Sequence, residues 1–136
     1  WYGDHRDLHS FPTRRSSELA PFAQAINDAD HRRCVDVSGR TSLDQAVDLL
    51  SAATQVVSND SGLMHVAAAV GKPLVAVYGA SSPEFTPPLS RNARSVSLEP
   101  DCWPCFQRSC RFGHTRCLED LLPQHVADVL AEIGQI

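Results

Sequence analysis

Apolar positions recur along this chain with two different periods, and the switches between them mark out its elements. Within Pro21 to Ala29, Phe22, Ala25, Ile26 and Ala29 share one helical face. Cys34 to Val37 reads as a short strand that Gly39 breaks. Ser42 then opens a helix with Gln45 three residues on, a capping-box spacing, and Leu43, Val47 and Leu50 form its apolar stripe. Gln55 to Ser58 is a second short strand, and Ser61 to Val70 a helix with Leu63, Val66, Ala67 and Val70 on one face, stopped by Gly71-Lys72-Pro73. Leu74 to Tyr78 is continuously apolar, as a strand covered on both faces of a parallel sheet must be. A Ser- and Pro-rich loop from Ala80 to Ser90 follows, then a short strand at Ser95 to Leu98 and a Cys-rich stretch from Cys102 to Cys117. A last helix starts near Pro123 with Val126, Val129, Leu130 and Ile133 aligned. The pattern predicts an α/β fold with a Rossmann-like parallel sheet, in which ligands sit where strands run into helices.

Composition narrows the function. The 136 residues are 43% hydrophobic and 21% charged, room for one modest core. Twelve Lys+Arg against sixteen Asp+Glu give a net charge of −4, so a broad nucleic-acid-binding face is not expected, although Arg108, Arg111 and Arg116 cluster. No apolar run approaches the roughly 20 residues that span a bilayer. Residues 1–19 fit neither period. Their run His9-Ser-Phe-Pro-Thr-Arg-Arg-Ser-Ser-Glu-Leu19 resembles the translation of a sequencing-adapter oligonucleotide, departing from it at Glu18, where Asp is expected. Residues 1–19 are therefore read as a non-native or disordered segment without a site, and residues 20–136 as the folded domain.

The most informative stretch is Val56-Val-Ser-Asn-Asp-Ser-Gly-Leu-Met-His65, a strand entering a helix through a short polar turn. The first N–H groups of a helix lack intrahelical partners and carry partial positive charge, so Ser61 and Gly62 can offer backbone donors to a phosphate. Gly62 permits close approach, and His65, three residues on, lies on the same face of the first turn. Asp60 suits sugar hydroxyls better than phosphate oxygens. The plainer alternative makes Asp60 or Ser61 a helix N-cap and His65 an ordinary surface residue.

Asn59-Asp-Ser-Gly-Leu-Met-His-Val-Ala-Ala-Ala69, Lys72-Pro-Leu-Val-Ala-Val-Tyr-Gly79 and Ser81-Ser-Pro-Glu-Phe-Thr-Pro-Pro-Leu-Ser90 closely resemble the ADP-heptose:lipopolysaccharide heptosyltransferases of glycosyltransferase family nine, the heptosyltransferase II group above all. The resemblance extends through Gly39-Arg-Thr-Ser-Leu-Asp-Gln-Ala46, Cys102-Trp-Pro-Cys105 and Cys117-Leu-Glu-Asp-Leu-Leu-Pro123. It implies the C-terminal half of a two-domain GT-B enzyme, incomplete at its N-terminal side. Such enzymes move heptose from ADP-heptose to the lipopolysaccharide inner core with inversion and no essential metal or other cofactor.

By this resemblance Asp60 holds heptose hydroxyls, Ser61 and Gly62 bind the diphosphate, His65 assists at the phosphate, and Thr41, Ser42 and Leu43 lie near the adenosine. The general base and most of the acceptor site belong to the N-terminal domain, so this chain alone is expected not to catalyse. An acidic ribose contact belongs just before the Ala20 helix, where the adapter-like run stands, and donor affinity is expected to be impaired. The implied compartment is the cytoplasm, with peripheral association of the full enzyme at the cytosolic face of the inner membrane.

Cys102-x2-Cys105-x4-Cys110-x6-Cys117, with His114 inside it, leaves three readings open: free thiols, a tetrahedral zinc site, or disulfides. Cys34, in the first short strand, reads as core. Trp103, Phe106 and Phe112 are expected to pack this segment onto the domain. Two alternatives accompany the leading function. One is a zinc-stabilised binding module using Arg108, Arg111 and Arg116; the other is a GT-B enzyme with another nucleotide sugar.

Overall fold

The computed structural model describes Pro21, residues 24–26, Asp28 and residues 34–134. The chain divides into two units between Asp48 and Leu49. In the first, Pro21, residues 24–26 and Asp28 are helical, and Gln24 Nε2 donates to Asp28 Oδ1 at 2.7 Å. The predicted Phe22–Ala29 stripe lies largely outside the described residues, as do residues 1–19.

Cys34 to Val37 is not a strand. These residues alternate between half-buried and exposed but join no ladder among the described residues, and Val35 and Val37 are 77% and 41% exposed. Cys34 is half-buried rather than core. The segment ends in a side-chain-built turn: Ser38 N donates to Asp36 Oδ1 at 2.9 Å and Arg40 N to Val37 O at 3.0 Å, with Gly39 at φ 68°.

Helix α1 (Leu43–Ala52) opens on the capping box that its sequence announces. Ser42 N donates to Gln45 Oε1 at 2.9 Å, and Gln45 N donates back to Ser42 Oγ at 3.3 Å. None of its residues is fully buried. Leu43, predicted to lead the apolar stripe, is 53% exposed, whereas Leu50 and Ala53 pack against the core of the second unit.

That second unit continues through β1 (Val56–Asn59), α2 (Gly62–Ala69), β2 (Leu74–Tyr78), β3 (Ala93–Ser97), α3 (Arg116–Glu119) and α4 (Pro123–Ile133). The strands form a parallel sheet in the order β1-β2-β3, with Val56 opposite Leu74 and Leu74 opposite Ala93. The continuous apolar run of β2 is explained by cover on both faces. On one face Leu74, Ala76 and Tyr78 join Val56 and the Met64, Ala67 and Ala68 side chains of α2. On the other, Val75 and Val96 pack under Ile133, with Val126, Val129 and Leu130 beside them.

The alignment predicted for α4 is thus realised, with Ile133 only 5% exposed. The face of α2 differs from expectation. Of the predicted Leu63, Val66, Ala67 and Val70, only Ala67 is fully buried, and its buried companions are Met64 and Ala68, so the buried face is rotated from the expected stripe.

Leu74 is fully buried between β1, α2 and β3, so Leu74→Ala should cost about 2–5 kcal/mol of unfolding free energy. Leu43→Ala, at an exposed site, should change it by less than about 0.5 kcal/mol. Urea denaturation of both variants checks this, and comparable losses would contradict the observed burial.

Candidate functional site

Parallel strands place their carboxyl ends on one edge, and the segments leaving β1 and β2 meet there. Asp60 N still donates to Val77 O at 3.1 Å, so the ladder runs one residue past β1. Ser61 is the N-cap of α2, extended at φ −159° and ψ 169°, and its carbonyl accepts from Met64 N at 3.1 Å. Its hydroxyl makes no capping bond and lies 3.3 Å from Ser58 Oγ instead. The Asp60 carboxylate accepts from Thr86 Oγ1 at 3.1 Å.

The positive end of α2 thus has no side-chain capping hydrogen bond from its N-cap residue. Gly62 is exposed, and a Cβ built there would meet nothing within 4 Å. His65 is exposed one turn further on. The junction thus joins backbone donors, an open glycine, an imidazole and a half-buried carboxylate. Thr41, Ser42 and Leu43 belong to the first unit: Thr41 is half-buried, Ser42 is engaged in the capping box, and Leu43 is exposed.

Three residues that sequence pattern did not single out complete this edge. Ser82 is fully buried; its carbonyl accepts from Phe85 N at 3.1 Å and Thr86 N at 3.3 Å, and its hydroxyl accepts from Glu84 N at 3.2 Å. The resulting turn carries Thr86 to Asp60. Tyr78, fully buried at the end of β2, donates to Thr86 O at 2.6 Å and lies 3.4 Å from Met64 Sδ. The one available signal was the phenol itself, since a tyrosine in an otherwise apolar strand needs a polar partner. Burial, and then the negative charge of Asp60, push the Tyr78 phenol above its ordinary value.

The Cys-rich segment is fastened to the same edge. Trp103 Nε1 donates to Ser81 O at 2.9 Å, and Cys105 N and Phe106 N donate to Ala80 O at 3.1 and 2.9 Å. Trp103 is half-buried, as a packing role requires, but Phe106 and Phe112 are 48% and 58% exposed. Phe106 meets Phe85 edge-on at 5.2 Å, and Phe112 stacks on His114 at 5.6 Å under Arg111.

Cys102, Cys105, Cys110 and Cys117 stand as free thiols and, with His114, line a cavity of about 120 Å³. Among the described residues no three His, Cys, Asp or Glu side chains are arranged to hold a metal ion. The loop instead turns backbone N–H groups of Thr115, Phe112, His114 and Gly113 toward the Cys110 sulfur, which lowers its pKa. Burial and the neighbouring thiols raise that of Cys117. Arg116 is paired with Asp120 at 3.3 Å.

A family profile for glycosyltransferase family 9 (heptosyltransferase) matches residues 11–116, beginning inside the segment that pattern alone sets aside. The chain belongs to this family. It is 46% identical over 106 residues to lipopolysaccharide heptosyltransferase 2 of Escherichia coli (strain K12), covering 78% of this chain and 30% of that protein. It is 41% identical over 111 residues to lipooligosaccharide heptosyltransferase 2 of Haemophilus influenzae, covering 81% of this chain and 32% of that protein. The solved structure of E. coli ADP-heptose lps heptosyltransferase II superposes with a TM-score of 0.74 at 40% identity, over 90% of this chain and 34% of that one. The family 9 chain thus spans about a third of the length of these relatives. Its parallel α/β sheet is that of the GT-B heptosyltransferase II fold, and the zinc-module alternative is not favoured.

Two titrations follow from this geometry. The folded chain favours the neutral Tyr78 phenol, so its stability contribution is intact below the unfolded-state value, about 10, and declines as pH rises through the higher folded value. Unfolding free energy should therefore fall more steeply above about pH 10 in the parent chain than in Tyr78→Phe. Matching slopes in pH-dependent denaturation would contradict the shift. At neutral pH, alkylation by iodoacetamide should modify Cys110 faster than Cys117, as read by peptide mass mapping.

Proposed function

We propose that this chain is the C-terminal, donor-binding part of an inverting family 9 glycosyltransferase that moves heptose from ADP-heptose to the lipopolysaccharide inner core. The observation that carries the proposal is the β1–α2 junction. The N-terminus of α2 is left without a side-chain cap and fronted by the open Gly62, while the Asp60 carboxylate is bound by Thr86. A diphosphate suits the first and sugar hydroxyls suit the second. Ser61 and Gly62 would donate backbone N–H groups to the diphosphate, Asp60 would accept from heptose hydroxyls, and His65 would stabilise charge on the departing ADP. Thr41, Ser42 and Leu43 are assigned to the adenosine side by family resemblance.

The general base and the lipopolysaccharide acceptor site are assigned to the part of the relatives that this chain does not match, so catalysis is expected only with that part present. A cytosolic site of action follows from a nucleotide-sugar donor. None of the described helices is long and apolar enough to cross a membrane.

Calorimetric titration with ADP-heptose, ADP and UDP-sugars tests the proposal. Selective ADP-heptose binding that Asp60→Ala abolishes supports it; equal response to UDP-sugars would move the donor assignment elsewhere in the GT-B class. Gly62→Ala gives a sharper outcome. Open space around Gly62 and the better helix propensity of alanine predict unchanged or slightly raised thermal stability, by up to about 1 kcal/mol. Affinity for ADP should nevertheless fall, because the methyl stands where the phosphate approaches. Unaltered ADP affinity in the folded variant would remove the phosphate from this helix start.

A further inference from the structure

Asp60 and Thr86 are 26 residues apart in sequence, yet Thr86 Oγ1 lies 3.1 Å from Asp60 Oδ2. A single hydroxyl proton serves one acceptor well, and the alternative, Ser82 O, is more distant at 3.4 Å. The hydroxyl is not on a loose loop. Its backbone is tied to Ser82 through Thr86 N, its carbonyl receives the Tyr78 phenol at 2.6 Å, and Ser82 and Tyr78 are both fully buried. Tyr78 belongs to the central strand and touches Met64 of α2, so sheet, helix and loop all bear on the position of this one hydroxyl. A β-branched side chain, with few χ1 states, adds to the constraint.

We infer that Thr86 is a positioning residue for donor-sugar recognition: it binds one oxygen of the Asp60 carboxylate and so fixes the direction in which the other is presented to the sugar hydroxyls of a nucleotide-diphosphate sugar. This rests on the reading of Asp60 as the sugar-binding carboxylate. A hydrogen bond to a carboxylate both orders the group and lowers its freedom to turn toward water, so a ligand hydroxyl meets a pre-set acceptor. The nucleoside diphosphate, bound by backbone at the α2 N-terminus, does not depend on that acceptor. Thr86 therefore acts on the sugar and not on the ADP.

The experiment is calorimetry on the full 136-residue chain, with folding checked by circular dichroism, using ADP-heptose and ADP as separate probes. The readout is the ratio of the two dissociation constants. Thr86→Val, near-isosteric but without the hydroxyl, should cut the preference for ADP-heptose about tenfold with the ADP affinity unchanged. Thr86→Ser, which keeps the hydroxyl, should retain most of the preference and serves as the folded comparison if the valine variant is unstable. In an Asp60→Asn background Thr86→Val should cause no further loss, because its effect passes through that carboxylate.

An unchanged ratio in Thr86→Val, beside a lowered one in Asp60→Asn, overturns the role of Thr86 while leaving Asp60 in place. Equal weakening of ADP and ADP-heptose, or loss of the preference in Thr86→Ser, also overturns it, since either marks general loop damage. A ratio indifferent to Asp60→Asn, or a folded parent chain that does not distinguish ADP-heptose from ADP, overturns the Asp60 reading and this inference with it.

Discussion

Burial of the middle strand on both faces is the constraint from which the second unit is built. Leu74, Val75, Ala76 and Tyr78 are all fully buried, alternating between a layer made with α2 and a layer made with α4. A strand so enclosed has no water available to its backbone, so β1 and β3 must flank it in parallel register to take up its N–H and C=O groups. Once three parallel strands are fixed, their carboxyl ends share an edge. The β1–α2 turn, the Ser82–Thr86 turn and the Cys-rich segment are then brought together without further specification.

The polar chemistry at that edge is anchored to the same strand. Tyr78 carries the apolar layer and, through its phenol, holds the backbone of Thr86, whose hydroxyl in turn holds Asp60. One residue is thus part of both the core and the site. The helix start beside it is left without a side-chain cap, which costs α2 a stabilising hydrogen bond of about 1 kcal/mol. Donors left unused at a helix start suit an anionic acceptor, and it is on this feature that the proposed diphosphate site rests.

The Cys-rich segment is fastened to the backbone that leaves β2. Its attachment runs through Trp103, Cys105 and Phe106 to the Ala80–Ser81 backbone. The four thiols line a shared cavity, in which backbone N–H groups lower the pKa of Cys110 and burial raises that of Cys117. Gly79 shows how closely the two pieces fit, since a Cβ there would stand 2.9 Å from Leu118 Cγ.

The sequence alone determined the features that depend on neighbours a few residues away. The Ser42–Gln45 capping box, the buried β2, the apolar stripe of α4 and the polar turn from β1 into α2 are all local patterns of period, cap and break, and local patterns are written in consecutive residues. Only tertiary structure decided the rest. It chose the Met64–Ala67–Ala68 face of α2, left Cys34 to Val37 outside any described strand, and turned Ser61 away from capping. It also joined Thr86 to Asp60 and gathered four cysteines around one cavity. Each of these is a partnership across a loop, set by which strand lies beside which and how closely a helix can approach. No periodicity within one segment encodes the identity of a partner in another.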